Sequence, residues 1–136
     1  MSPQGSSGRE RPREGSPRTT IKIHRIVCVI DCGTTLDPEI SKSSIEGGTV
    51  WGLGVALQSA ISFRGGRTVE SNFHDYRIPR MNETPPIEVH TIDSGARPLG
   101  GTGEVGPVTL VPALVNAIFA ATGRRVRTSP LGFRLA

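Results

Sequence analysis

From residue 21 to residue 31 apolar side chains fall on both parities of the chain. Ile21, Ile23, Val27 and Val29 lie on one face of an extended segment, and Ile26, Cys28 and Ile30 on the other. The pattern predicts a strand over 21–31 that is covered on both sides. Asp31-Cys32-Gly33 ends it, and Leu36-Asp37-Pro38 turns the chain into a helix predicted over 39–59. That helix holds Gly47, Gly48, Gly52 and Gly54, each costing up to about 1 kcal/mol relative to Ala. Something must therefore approach its backbone closely, either a packed neighbouring element or a bound cofactor. Short apolar runs at 61–63 and 68–69 flank Arg64-Gly65-Gly66-Arg67, a hairpin signal. A loop over 71–86 follows, broken by Pro79, Pro85 and Pro86, and residues 87–93 alternate as a half-buried strand. The last helix is predicted over 108–122, with Leu110, Leu114, Ile118 and Ala121 at helical spacing, Ala113 and Ala117 alongside, and Gly123 as its C-terminal cap. Strand, helix, hairpin, strand, helix is an α+β order, a small mixed sheet carrying two packed helices.

Between the last strand and the last helix runs Pro98-Leu99-Gly100-Gly101-Thr102-Gly103-Glu104-Val105-Gly106-Pro107. Its glycines allow close backbone approach to a bound group, and Pro107 fixes φ where a helix can begin. A glycine-rich loop entering a helix N-terminus offers free backbone N–H groups to an anion. Many such loops only reverse the chain. The stretch lacks the Lys-Ser/Thr ending of a P-loop, and a single Glu104 is no paired-carboxylate glycosidase site.

At 136 residues the chain allows one domain. Residues 1–20 carry Arg9, Arg11, Arg13 and Arg18 among Pro, Gly and Ser, with no apolar side chain after Met1. Too little surface can be buried there to offset chain entropy, so a disordered basic arm is predicted. Glu10 and Glu14 interrupt its charge and no aromatic residues interleave with it, which argues against nucleic-acid binding despite a pI near 9.8. The arm has no apolar core of a signal peptide, and no window is expected to approach the roughly 18 apolar residues of a membrane span. A cytoplasmic protein is the resulting expectation. Cys28 and Cys32 are too few for a zinc or iron-sulfur site and fit buried thiols on one strand face. His24, His74 and His90 lack metal-ligand spacing, so no protein metal ligand is expected.

Five motifs nonetheless occur together and in order. They are Ile30-Asp31-Cys32-Gly33; Ile45-Glu46-Gly47-Gly48 with Gly52-Leu53-Gly54 downstream; Ser71-Asn72-Phe73-His74-Asp75-Tyr76; Gly101-Thr102-Gly103-Glu104; and Pro112-Ala113-Leu114-Val115-Asn116-Ala117 continuing to Gly123. From about Arg25 to Leu131 the chain resembles the C-terminal part of the molybdopterin-binding subunit of the xanthine oxidase family of molybdenum hydroxylases, in the branch of the isoquinoline 1-oxidoreductase beta subunit.

The resemblance implies that residues 21–136 are the C-terminal portion of a molybdenum-cofactor-binding domain, with a molybdopterin-type cofactor held by Gly100, Gly101, Thr102, Gly103 and Ser44. It implies Glu104 as general base, taking the proton from a hydroxyl whose oxygen attacks an electron-poor carbon of an aldehyde or N-heterocycle, with water as oxygen source. A carboxylate in a water-poor cleft suits that task. The implied partners are the remainder of the molybdenum subunit and an iron-sulfur subunit that takes the electrons. Ser44 stands where the family commonly has Gln, a longer side chain, and Val105-Gly106 separate Glu104 from Pro107 where the xanthine oxidase branch places Pro directly after the Glu. The family's subunit is several times longer, so the isolated chain is expected to be inactive. Two other readings compete: a small anion-binding module using the Gly100–Gly106 loop, and a non-catalytic relic or interaction protein.

Overall fold

The computed structural model describes residues 20–95, 100–131 and 133–135. The predicted disordered arm lies outside the described residues except for Thr20, and so do Pro98 and Leu99 of the glycine-rich stretch. Among the described residues, six strands, two helices and one 3₁₀ turn follow in the order β1 (Thr20–Ile21), β2 (Ile26–Asp31), α1 (Pro38–Leu57), β3 (Phe63–Arg64), β4 (Arg67–Thr68), the turn Met81–Glu83, β5 (Ile87–Ile92), α2 (Val105–Thr122) and β6 (Arg134–Leu135).

The α+β class and the two packed helices are as the sequence predicts; the strands form three pairs. β2 pairs in parallel with β5, from Ile26 opposite Ile87 to Asp31 opposite Ile92. β3 and β4 make the antiparallel hairpin across Gly65 and Gly66, both at positive φ. The single strand expected over 21–31 is two, because β1 leaves to pair in parallel with β6 near the far end of the chain. Coverage on both faces is corrected as well. Val27 and Val29 are 48% and 62% exposed, while Ile30, Cys28 and Val89 pack with Ile45 of α1 and Val105 of α2. Both helices thus contribute side chains to the same face of the β2–β5 pair, and among the described residues the opposite face has no covering layer.

The helix ends have local causes. Asp37 caps α1, its carboxylate accepting from the Ile40 N–H at 3.0 Å, with Pro38 as the first helical residue. α2 begins at Val105, three residues earlier than the apolar periodicity indicates, because Gly106 and Pro107 sit in its first turn, where a missing N–H costs no helical bond. Gly123 closes α2 at φ 68° with its N–H on the Phe119 carbonyl.

Three of the four glycines on α1 meet protein, while the Cβ position of Gly47 meets no atom within 4 Å, so the close approach expected there is absent. A Cβ on Gly52 would lie 2.7 Å from Pro107 Cα, one on Gly48 would lie 3.1 Å from Pro107 Cδ, and one on Gly54 would lie 2.8 Å from Pro79. From the other side a Cβ on Gly106 would stand 2.7 Å from the Thr49 N. Backbone-to-backbone contact at this point lets Leu53, Ala56 and Leu57 meet Leu110, Leu114 and Ile118, with Leu131 and Phe133 closing the cluster. Ala121, expected on the same stripe, is exposed.

The absence of any membrane-length window is also corrected. α2 has 18 residues at a mean hydropathy of 1.7, enough by length and composition alone to cross a membrane, and 22% of it is buried within the fold. Its buried side is the packing against α1.

Candidate functional site

The glycine-rich loop is fastened at one end and open beyond it. Gly100 donates its N–H to the Cys32 carbonyl at 2.9 Å, which ties the loop to the end of β2. A Cβ at Gly100 would come within 3.4 Å of Cys32 Cα, whereas Cβ positions at Gly101 and Gly103 meet no atom within 4 Å. Thr102 is half-buried. Glu104 follows at the residue just before the first turn of α2, exposed, with φ −112° and ψ 4°, and its carboxylate accepts no hydrogen bond from the helix's first turn. The expected catalytic carboxylate therefore projects from a helix N-terminus without serving as its cap.

Ser44 comes from α1, half-buried and one helical turn before Gly48. The Cβ position of Gly48 lies 3.8 Å from the Gly103 carbonyl, so the helix-helix contact brings this part of α1 to the glycine-rich loop. All the sequence-predicted site residues thus come from one loop and the helix segment beside it.

Sequence reasoning missed the wall next to Glu104. Trp51, Val55, Pro107, Val108 and Val111 line with it an apolar groove of about 340 Å³ between α1 and α2. The signal available was the spacing of Trp51 with Val55 and of Val108 with Val111, apolar pairs one turn apart beside each helix's buried stripe. A second, larger groove of about 590 Å³ is lined by Phe73, His74, Tyr76, Arg77, Ile78 and Arg80. It contains no predicted site residue, and its Arg77 is held in an ion pair with Glu83.

Two of the five sequence motifs serve the framework. Asp75 accepts from the N–H groups of Ser71 and Asn72 at 2.9 Å each, closing the turn over Ser71–Asp75. Those bonds hold its carboxyl down at about 2 from an ordinary 3.8. Asp31 accepts from the Ser94 hydroxyl at 2.7 Å and the Gly33 N–H at 3.1 Å, which lowers its proton affinity and shapes the exit from β2. Cys28 and Cys32 are free thiols; Cys28 Sγ lies 3.6 Å from the Thr49 hydroxyl and Cys32 Sγ 3.4 Å from the Thr35 hydroxyl. Among the described residues no three His, Cys, Asp or Glu side chains converge on one point.

The family model described as the molybdopterin cofactor-binding domain matches residues 17–85. The chain belongs to the molybdopterin-binding subunits of the xanthine oxidase family. It is 35% identical over 117 residues to the isoquinoline 1-oxidoreductase subunit beta of Brevundimonas diminuta, covering 86% of this chain and 15% of that one. Against the aldehyde oxidoreductase molybdenum-binding subunit PaoC of Escherichia coli K12 the identity is 30% over 118 residues, covering 82% and 16%. The crystal structure of quinoline 2-oxidoreductase from Pseudomonas putida 86 superposes with a TM-score of 0.68 at 26% identity, covering 76% of this chain and 14% of that one. The chain thus spans about 15% of the length of the curated relatives it matches.

The loop fits the family's molybdenum cofactor on its own geometry. Gly101 and Gly103 present backbone with free space where a side chain would stand, an approach a pterin-sized group requires. Backbone N–H groups and the Thr102 hydroxyl are donors of the kind that hold an organic cofactor, without asking the chain for a metal ligand.

Proposed function

We propose that residues 21–136 form the C-terminal piece of a molybdenum hydroxylase subunit that oxidises aldehydes or N-heterocycles with water as oxygen source, and that Glu104 is its general base. What supports this most is the position of the Glu104 carboxylate, which stands at the open glycine-rich loop and is not spent on capping α2. When bound, the cofactor supplies the two-electron redox chemistry. Gly100, Gly101, Thr102, Gly103 and Ser44 hold and orient it from one side. Glu104 accepts the proton of the reacting hydroxyl, and α1 and α2 fix the position of that carboxylate through their glycine contacts.

The remainder of the molybdenum subunit and an iron-sulfur subunit complete the enzyme in this reading, and the chain alone is inactive. The names of the relatives, isoquinoline oxidoreductase and aldehyde oxidoreductase, support the substrate classes. Co-expression with the missing portion of the subunit, followed by measurement of molybdenum and pterin in the purified complex, tests it. Stoichiometric molybdenum and pterin are expected. A stable complex devoid of both overturns the reading.

A further inference from the structure

β2 and β5 run in parallel and end side by side, with Asp31 opposite Ile92. Each strand then leaves through the same kind of turn. In Asp31-Cys32-Gly33 the Asp31 carboxylate accepts the Gly33 N–H at 3.1 Å, and in Asp93-Ser94-Gly95 the Asp93 carboxylate accepts the Gly95 N–H at 3.0 Å. The two turns are joined, because the Ser94 hydroxyl donates at 2.7 Å to the same Asp31 Oδ1 that holds Gly33. The first turn is also joined to the glycine-rich loop through the Cys32 carbonyl, which accepts the Gly100 N–H at 2.9 Å.

The Cys32 carbonyl and the Gly33 N–H belong to one planar peptide unit. Asp31 holds that unit by its N–H, and the opposite end of the same unit holds Gly100. Gly33, at φ 71°, leaves the peptide able to rotate when nothing holds it. The Cys32 side chain anchors the turn in the core, 6% exposed and packed with Ile30 and Ile45. Beyond the loop, the Cβ position of Gly106 is 2.7 Å from the Thr49 backbone N on α1. Residues 101–104 are therefore strung between two fixed points, Gly100 on the turn after β2 and Gly106 on α1.

We propose that Asp31 is a positioning residue for the cofactor loop: by orienting the Cys32–Gly33 peptide it fixes Gly100, and with it the place at which Gly101, Gly103 and Glu104 face the cofactor. The inference rests on the molybdenum-subunit reading for what the loop faces, while the fastening belongs to the chain itself. Asp31 acts through the backbone, and Ser94 holds its carboxylate oxygen in place for that task.

Hydrogen exchange of the full chain labelled with ¹⁵N-glycine tests the fastening, with the amides of Leu53 and Leu114 inside the two helices as references from a uniformly labelled sample. Asp31→Ala is expected to lower the protection of the Gly100 amide about tenfold, the low end for a hydrogen bond to a charged group, with the two leucine amides unchanged. Asp31→Asn keeps the acceptor oxygen and is expected to hold Gly100 within about threefold of the parent. A Gly100 amide unprotected in the parent, unchanged protection in Asp31→Ala, or loss of protection at all three amides together overturns the proposal. So does an Asp31→Asn chain that loses as much as Asp31→Ala. In the complex with the missing portion of the subunit, pterin retained through gel filtration is expected to fall at least about threefold for Asp31→Ala and to return to the parent level for Asp31→Asn; equal retention in all three overturns the link to the cofactor. A parent complex without pterin is a failure of the molybdenum-subunit reading, and the exchange measurement still decides whether Asp31 positions the loop.

Discussion

Asp75 shows how a single carboxylate can be structural while lying in a sequence motif that suggests function. Its two backbone hydrogen bonds favour the ionised form and hold its carboxyl at about 2, from an ordinary 3.8. A carboxyl depressed on folding contributes stability that is present above its unfolded value and is lost as pH falls through the folded one. The melting temperature is therefore expected to fall between about pH 4 and pH 2, and Asp75→Ala is expected to flatten that part of the profile. An Asp75→Ala chain with the parent's pH dependence across this window would contradict the assignment. At this scale the sequence was legible where a residue type has one use, as at Gly123, whereas Asp37 and Pro38, expected only to turn the chain, cap and begin α1. It was not legible for Trp51, whose place beside Glu104 depends on how two helices cross.

At the scale of elements, the helix pair positions the candidate site. Gly48 and Gly52 of α1 and Gly106 of α2 bring the helices together at the end where Glu104 emerges. A methyl at Gly106 would meet the Thr49 N at 2.7 Å and the Ile45 carbonyl at 2.9 Å, both backbone atoms. Neither can give way as a flexible side-chain end can. Gly106→Ala is expected to cost about 1–3 kcal/mol, the range for inserting a methyl group into a packed contact, read as a lower midpoint in urea unfolding. Gly47→Ala, with nothing within 4 Å of its Cβ position, is expected to be neutral or slightly stabilising. Equal effects of the two would contradict the packing account. The glycines of α1 announced a close approach in the sequence, but periodicity gives no indication of which element approaches. The strand over 21–31 failed for a related reason. Local pattern shows that Ile21 and Ile23 are apolar, while the departure of β1 to pair with β6 is a contact across more than a hundred residues.

At the scale of the whole molecule, the open faces accord with the function proposed above. Val27 and Val29 on β2 and Val108 on α2 are apolar and exposed, which the proposed place of the chain within a larger subunit accounts for, since other parts of that subunit would cover them. Sequence patterning predicted coverage for β2 on both faces because the residues are suited to it; the covering layer is absent among the described residues. The central claim remains the role of Glu104. In an assembly that carries the cofactor, Glu104→Gln keeps the size of the side chain and removes the proton acceptor. Turnover per bound molybdenum is predicted to fall about 10² to 10⁴-fold, the contribution typical of a general base, with molybdenum content and melting temperature close to the parent's. Unchanged turnover per bound molybdenum in that variant would contradict the account at its central residue.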